Sequence, residues 1–218
     1  MTDFNSRVEA FLDATFALDP IFATSVGNHA HDAEWPDLSA AGRARRRAFT
    51  AEWSATFGAF DDAALTPDER IDREILLGEL AAQAFGDTEL REDAWSAMWW
   101  VYVIGEGLFG LLAREFAPLA DRLASIAARA EGVPALVAAA REVLVGVPGR
   151  AVDRLHAEKA LEQWPGLISI VDEAIAAGDA AAARRAMERH LDSVGVDLIG
   201  ATPPSDLNGG RDTRADPS

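Results

Sequence analysis

Apolar side chains recur every three or four residues through most of this chain, and they almost nowhere alternate. That period is the repeat of one face of an α-helix, and it constrains the fold more than any single motif. Phe4, Val8, Phe11, Leu12, Thr15 and Phe16 predict an amphipathic helix over 3–18, ending at Asp19-Pro20. Leu119, Leu123, Ile126 and Ala130 repeat the pattern after Pro118, and Leu136, Ala140, Val143 and Leu144 repeat it after Pro134. The aromatic-rich run Met98–Ile104 has side chains that favour strands, yet it alternates poorly, and a lone strand would have no partner. Helix is expected there too, so the fold class is all-α.

The ends of these helices are marked by local chemistry. Thr66-Pro67-Asp68-Glu69 reads as a capping box. Thr66 accepts a backbone N–H, Pro67 occupies the first turn, where its missing donor costs nothing, and Glu69 reaches back to Thr66. Ile71, Ile75, Leu76 and Leu80 are the expected buried stripe of that helix, which should stop near Gly86. Ser39 can cap a helix running through Arg43, Arg47, Trp53 and Phe57. Ile21–Val26 is a short apolar turn closed by Gly27, and residues 28–38 lack periodicity and read as an ordered loop. Gly132 is placed to end one helix before Pro134 opens the next, and Gly146-Val147-Pro148-Gly149 is a turn. A helix over about 150–177 contains Pro165, which should kink or split it, and a last helix spans about 179–194. These elements predict one domain over residues 1–200, with eight or nine helices. Residues 201–218, rich in Pro, Gly, Asp and Ser, should be a disordered tail.

Composition removes several classes of function. None of the 218 residues is cysteine, which excludes disulfides, thiolate zinc sites and cysteine nucleophiles. Asp and Glu number 36 against 20 Lys and Arg, a formal charge of −16. Such a surface repels phosphate backbones and anionic lipid, so neither nucleic acid nor membrane is an expected partner. Met98–Ile104, the longest unbroken apolar run, is too short to cross a bilayer. The first residues carry Asp3 without a basic cluster, and Glu9 and Asp13 interrupt any apolar run, so a secretory signal is not expected and a cytoplasmic location is.

The residues able to carry chemistry are few. His29-Ala30-His31-Asp32 can place two imidazoles on a metal if the backbone is extended, with Asp32 orienting one of them. The simpler reading is a loop tied down by its own polar side chains, since a single loop supplies two ligands at most. Asp153 precedes His156 by three residues, half of a helical di-metal signature, but Met187 stands where His190 would need a carboxylate. Hydrogen-bonded, partly buried histidines are the alternative for His156 and His190. Asp72 and Glu79 share one side of their helix and could do acid–base work, or simply be solvated. Arg43, Arg45, Arg46 and Arg47 are the one basic run and are expected to pair with carboxylates. Trp95, Trp99 and Trp100 at helical spacing fit a core better than a ligand platform.

Two longer stretches carry a resemblance. One is Pro20-Ile-Phe-Ala-Thr-Ser-Val-Gly27-Asn-His29-Ala-His31-Asp32 with Trp35-Pro36-Asp37-Leu38-Ser39, followed by Asp68-Glu-Arg-Ile-Asp72-Arg73. The other is Gly107-Leu-Phe-Gly-Leu-Leu-Ala-Arg114-Glu-Phe-Ala-Pro118-Leu, then Arg122 through Arg129, Pro134, and Leu155-His156-Ala-Glu158-Lys-Ala160-Leu. In order and spacing, over about residues 10–190, they resemble the amino-terminal portion of the bacterial domain-of-unknown-function 885 family. The resemblance implies an all-helical, zinc metallopeptidase-like protein, whose chemistry sits further on, on a helix bearing His-Glu-x-x-His. No His-Glu dipeptide occurs in this sequence, so none of the implied catalytic residues can be assigned a position here.

The expected function is therefore that of a non-catalytic or incomplete member, truncated before the zinc helix. It would wall a substrate cleft and pack onto a partner carrying the missing half, or form a homodimer. His29, Asp32 and Asp72 are its candidate cleft or loop-ordering residues. The rival is a stand-alone metal-dependent bundle enzyme using His29, His156 and His190. It requires three imidazole nitrogens converging about 2.0–2.1 Å from one point.

Overall fold

The computed structural model describes residues 3–178. Among them are eight α-helical segments and no strand: α1 (Asp3–Leu18), α2 (Pro20–Ser25), α3 (Ala40–Gly58), α4 (Pro67–Phe85), the single turn α5 (Glu92–Trp95), α6 (Ala97–Ala113), α7 (Leu119–Val143) and α8 (Arg154–Gly178). A 3₁₀ turn at 62–64 and a π-turn at 86–90 complete the path. The all-α expectation holds, including helix across Met98–Ile104. The expected helix at 179–194, His190, the domain boundary near 200 and the tail at 201–218 lie outside the described residues.

Two hydrophobic cores divide the molecule. In the first, α1, α3 and α4 pack around Phe4, Phe11, Phe57 and Leu80, with Leu65 from the turn before α4. Phe4 meets Phe60 edge to face at 5.2 Å and Phe11 meets Phe57 likewise at 5.4 Å, an arrangement their quadrupoles favour, while Phe49 stacks on Phe11. In the second, Trp100, Ile104, Leu108 and Leu111 of α6 meet Ile126, Val133, Leu136 and Val137 of α7, and Trp164 and Leu167 of α8 close the layer. Leu38 of the loop at 26–39 and Ala94 of α5 belong to this second core, and Trp35 packs against it.

The caps follow the sequence closely. Thr66 Oγ1 accepts from Glu69 N at 3.3 Å, and a Glu69 carboxylate oxygen accepts from Thr66 N at 2.8 Å. Ser39 and Ser96 cap α3 and α6, and Asp19 caps α2 with Pro20 in its first turn. Thr66→Ala should lower the stability of the chain by about 1 kcal/mol in urea denaturation, and Thr66→Ser should keep most of it, because only the hydroxyl matters to the cap.

Other boundaries differ from expectation for identifiable reasons. Residues 119–143 form one helix, not two, with Pro134 inside it. Proline removes the bond to the Ala130 carbonyl, at about 3 kcal/mol. Val133, Leu136 and Val137 on either side are almost wholly buried, at roughly 1.5–3 kcal/mol each, which outweighs that loss. Gly132 is not a helix end. A Cβ there would stand 2.5 Å from Trp35, so the glycine serves a close approach. The last described helix starts at Arg154, not 150, because Asp153 accepts from the backbone N of His156 at 2.8 Å. Ile71 and Ile75 do not belong to a buried stripe. They are 58% and 57% exposed, whereas Leu76, Leu77 and Leu80 face the first core. As one piece, α7 is also long and apolar enough to cross a bilayer, unlike Met98–Ile104. Half of its most apolar stretch is buried inside the fold, as expected of a core helix.

Candidate functional site

The two stretches that carry the family resemblance meet at Arg129. This residue lies on the apolar row Leu123, Ile126, Arg129, Ala130 and Val133 of α7, and its side chain is completely buried. Its guanidinium is spread over three elements. Nε donates to the Glu34 carbonyl at 3.0 Å, Nη1 to the Gly107 carbonyl of α6, and Nη2 to the Pro20 carbonyl at 3.2 Å and Thr24 Oγ1 at 2.9 Å, both in α2. The planar five-donor fork suits such a divided task better than an ammonium would. Burial pushes the guanidinium below its ordinary pKa, and the carboxylates of Asp32 and Asp19 oppose that shift.

The network continues outward. The Thr24 hydroxyl lies 2.7 Å from Asp32 Oδ1, and Asp32 Oδ2 lies 3.0 Å from His29 Nδ1. The His29 ring stacks on Phe116 at 3.6 Å and 7°. Trp35 Nε1 donates to the carbonyl of Arg129 itself at 2.5 Å, and the Trp35 ring lies 5.6 Å from the guanidinium. Two turns earlier on α7, Arg122 donates to the carbonyls of Leu111, Leu112 and Ala117, which satisfies the C-terminal end of α6. A second feature lies on the far side of α6. A cavity of about 510 Å³ between α6, α7 and α8 is lined entirely by apolar side chains, among them Val101, Leu136, Leu161 and Trp164.

The sequence-expected candidates fall into three groups. His29 and Asp32 are brought together in the Arg129 network, as loop-ordering residues would be. His31 faces away, 3.4 Å from Glu34. His156 sits at the other end of α6. Its Nδ1 is 2.7 Å from Ser96 Oγ, and its ring stacks on Trp95 at 5.4 Å. At about 1.5 Å per residue, the seventeen residues of α6 hold His156 and His29 roughly 25 Å apart, far beyond shared metal coordination. The three-histidine centre therefore cannot form from His29 and His156. Asp72 and Glu79 are exposed on α4, away from the network. No group of three His, Asp or Glu side chains among the described residues could hold a metal ion, so these residues do not fit the zinc centre implied by the resemblance. The reading of single residues missed Arg129 and Trp35. The available signal was an arginine on an otherwise apolar row, a position that demands buried acceptors.

Comparison with known proteins adds to this picture. The chain is similar to a structure from Shewanella oneidensis of unknown function, described as a candidate lipoprotein, with a TM-score of 0.69 and 24% identity over 91% of this chain. That likeness shows the fold. The chain spans only 38% of the length of that structure. No curated protein matches the sequence. Residues 20–199 match the family described as bacterial protein of unknown function, DUF885, and the chain belongs to that family.

Proposed function

We propose that this chain is a non-catalytic scaffold within a metallopeptidase-like architecture, forming one helical wall of a substrate cleft while the zinc chemistry resides in residues beyond it. The observation that carries this reading is how the motif residues are used. His29, Asp32, Trp35 and Arg129 satisfy one another inside the fold and present no convergent set of donors to a substrate. The lack of any His-Glu dipeptide and the 38% coverage of the Shewanella structure support the same reading. The apolar cavity behind α6 and the half-exposed Tyr102, Phe109 and Leu161 are surfaces that a further protein region, on a partner or a second copy, could cover.

The purified chain is expected to hydrolyse neither peptides nor esters, with or without added zinc. Turnover that is lost on adding a chelator and restored by zinc would overturn the proposal.

A further inference from the structure

One face of α4 is left unpartnered, and its pattern is that of a seam between helices. Ile71, Ile75, Gly78, Ala82 and Phe85 follow one another at alternating steps of four and three residues, the heptad spacing of a coiled-coil stripe. All five are exposed, Ile71, Ile75 and Phe85 by more than half, although Leu76, Leu77 and Leu80 of the same helix already serve the first core. The stripe lies wholly within α4 and runs about 21 Å, at about 1.5 Å per residue. Large apolar side chains left in water along such a line mark an interaction surface. Gly78 sharpens the point. Glycine weakens a helix interior, and a Cβ at 78 would meet nothing within 4 Å, so no neighbour among the described residues requires it. Beside Ala82, it leaves a hollow between Ile75 and Phe85 that a side chain of an approaching helix can enter.

The borders of the stripe select the partner. On α4, Asp72 and Glu79 stand on one side of it and Glu74 on the other. All three are exposed and form no hydrogen bond or ion pair among the described residues. The bases of this helix are drawn away. Arg70 donates to the Leu65 carbonyl, and Arg73 donates to the Phe60 carbonyl and to Asp62. The stripe is therefore apolar between acidic borders. A second copy of the chain does not suit it. Two α4 helices packed in parallel would set Glu74 against Glu79, and antiparallel packing would set Asp72 against Glu79. Anionic lipid is repelled by the same borders. What fits is a helix with apolar residues at heptad spacing and Lys or Arg on both flanks, because each acid then gains an opposite charge.

We propose that the outer face of α4 docks a basic amphipathic helix of a partner protein, its apolar seam on Ile71, Ile75 and Phe85 and its flanking bases on Asp72, Glu74 and Glu79. The apolar contact supplies affinity, and the charges set the choice of partner and its orientation. This face is separate from the surfaces on α6 and α8, and the docking does not depend on the scaffold role.

A fluorescent peptide helix tests this by anisotropy with the full chain. The probe is about three heptads long, with Ile and Leu at the seam and Lys on both flanks, and a control carries Glu on the flanks. Like charges keep each peptide from pairing with itself. The Lys peptide should bind, the Glu peptide at least about tenfold more weakly, and added salt should narrow the difference. Ile75→Asp should abolish binding while leaving the helical circular dichroism signal unchanged, because the position is exposed. Asp72→Lys, Glu74→Lys and Glu79→Lys together should reverse the preference. The chain has no cysteine, so Ile75→Cys gives a single thiol, which should react freely with a maleimide when no peptide is present. No binding of the Lys peptide at about 100 μM, equal binding of both peptides, binding unchanged by Ile75→Asp, or protection of that thiol in the peptide-free chain would each overturn the proposal. Protection that persists on dilution would assign the stripe to another part of this chain, and protection lost on dilution would assign it to a second copy.

Discussion

Arg129→Leu should cost about 3–5 kcal/mol, enough to unfold much of the population of a chain of ordinary stability. The change leaves the volume nearly filled but strips donors from the carbonyls of Pro20, Glu34 and Gly107 and from Thr24 Oγ1. It also leaves Asp32, itself 7% exposed, without the buried cation that faces it. Breaking a buried charge network from one side is costly because the remaining groups stay desolvated. Arg129→Lys should recover only part of the loss. An ammonium keeps the charge but cannot span α2, α6 and the 26–39 loop together. Asp32→Asn added to Arg129→Leu should be less harmful than in the wild-type background, since it removes the stranded charge. Urea denaturation followed by circular dichroism measures the wild type and the four variants. Equal losses from Asp32→Asn in both backgrounds would show that the two side chains are not coupled.

The same hub explains what the sequence does and does not make legible. Caps are local, so Ser39 and Thr66-Pro67-Asp68-Glu69 act within a turn of where they stand, and their helices begin as expected. Helix faces are less local. The apolar arc of α4 is wider than the neighbour it packs on, so Ile71 and Ile75 look like core by period yet point outward, while Leu76, Leu77 and Leu80 meet α1 and α3. The continuity of α7 through Pro134 depends on burial against α6, which no local rule contains. The candidate site divides in the same way. His29 and Asp32 are three residues apart, and their pairing was open to inference. Their connection through Thr24 to Arg129 spans about a hundred positions and exists only once α2 and α7 are side by side.

Trp35 sits where this long-range assembly is tightest, and there a pair of substitutions should change sign. Its ring wedges between α6 and α7 opposite two glycines. A Cβ on Gly107 would stand 2.2 Å from Trp35 Cζ3, and one on Gly132 would stand 2.5 Å from Cδ1. The ring has no easy retreat, because Nε1 is tied to the Arg129 carbonyl and its face lies against the guanidinium. Trp35→Ala should therefore cost about 3 kcal/mol, by loss of packing and of that hydrogen bond. Gly107→Ala alone sets two effects against each other. Alanine favours a helix interior over glycine by about 1 kcal/mol, while an overlap this deep lies at the upper end of the roughly 1–3 kcal/mol cost of overpacking. Overpacking wins, for a net loss of about 2 kcal/mol. In the Trp35→Ala background the obstruction is gone and only the helix preference remains, so Gly107→Ala should stabilise that variant by up to about 1 kcal/mol. Thermal or urea unfolding of the two single variants and the double variant closes the cycle. If Gly107→Ala is equally harmful with and without Trp35, the ring does not set the α6–α7 spacing, and the glycine at 107 answers to some other neighbour.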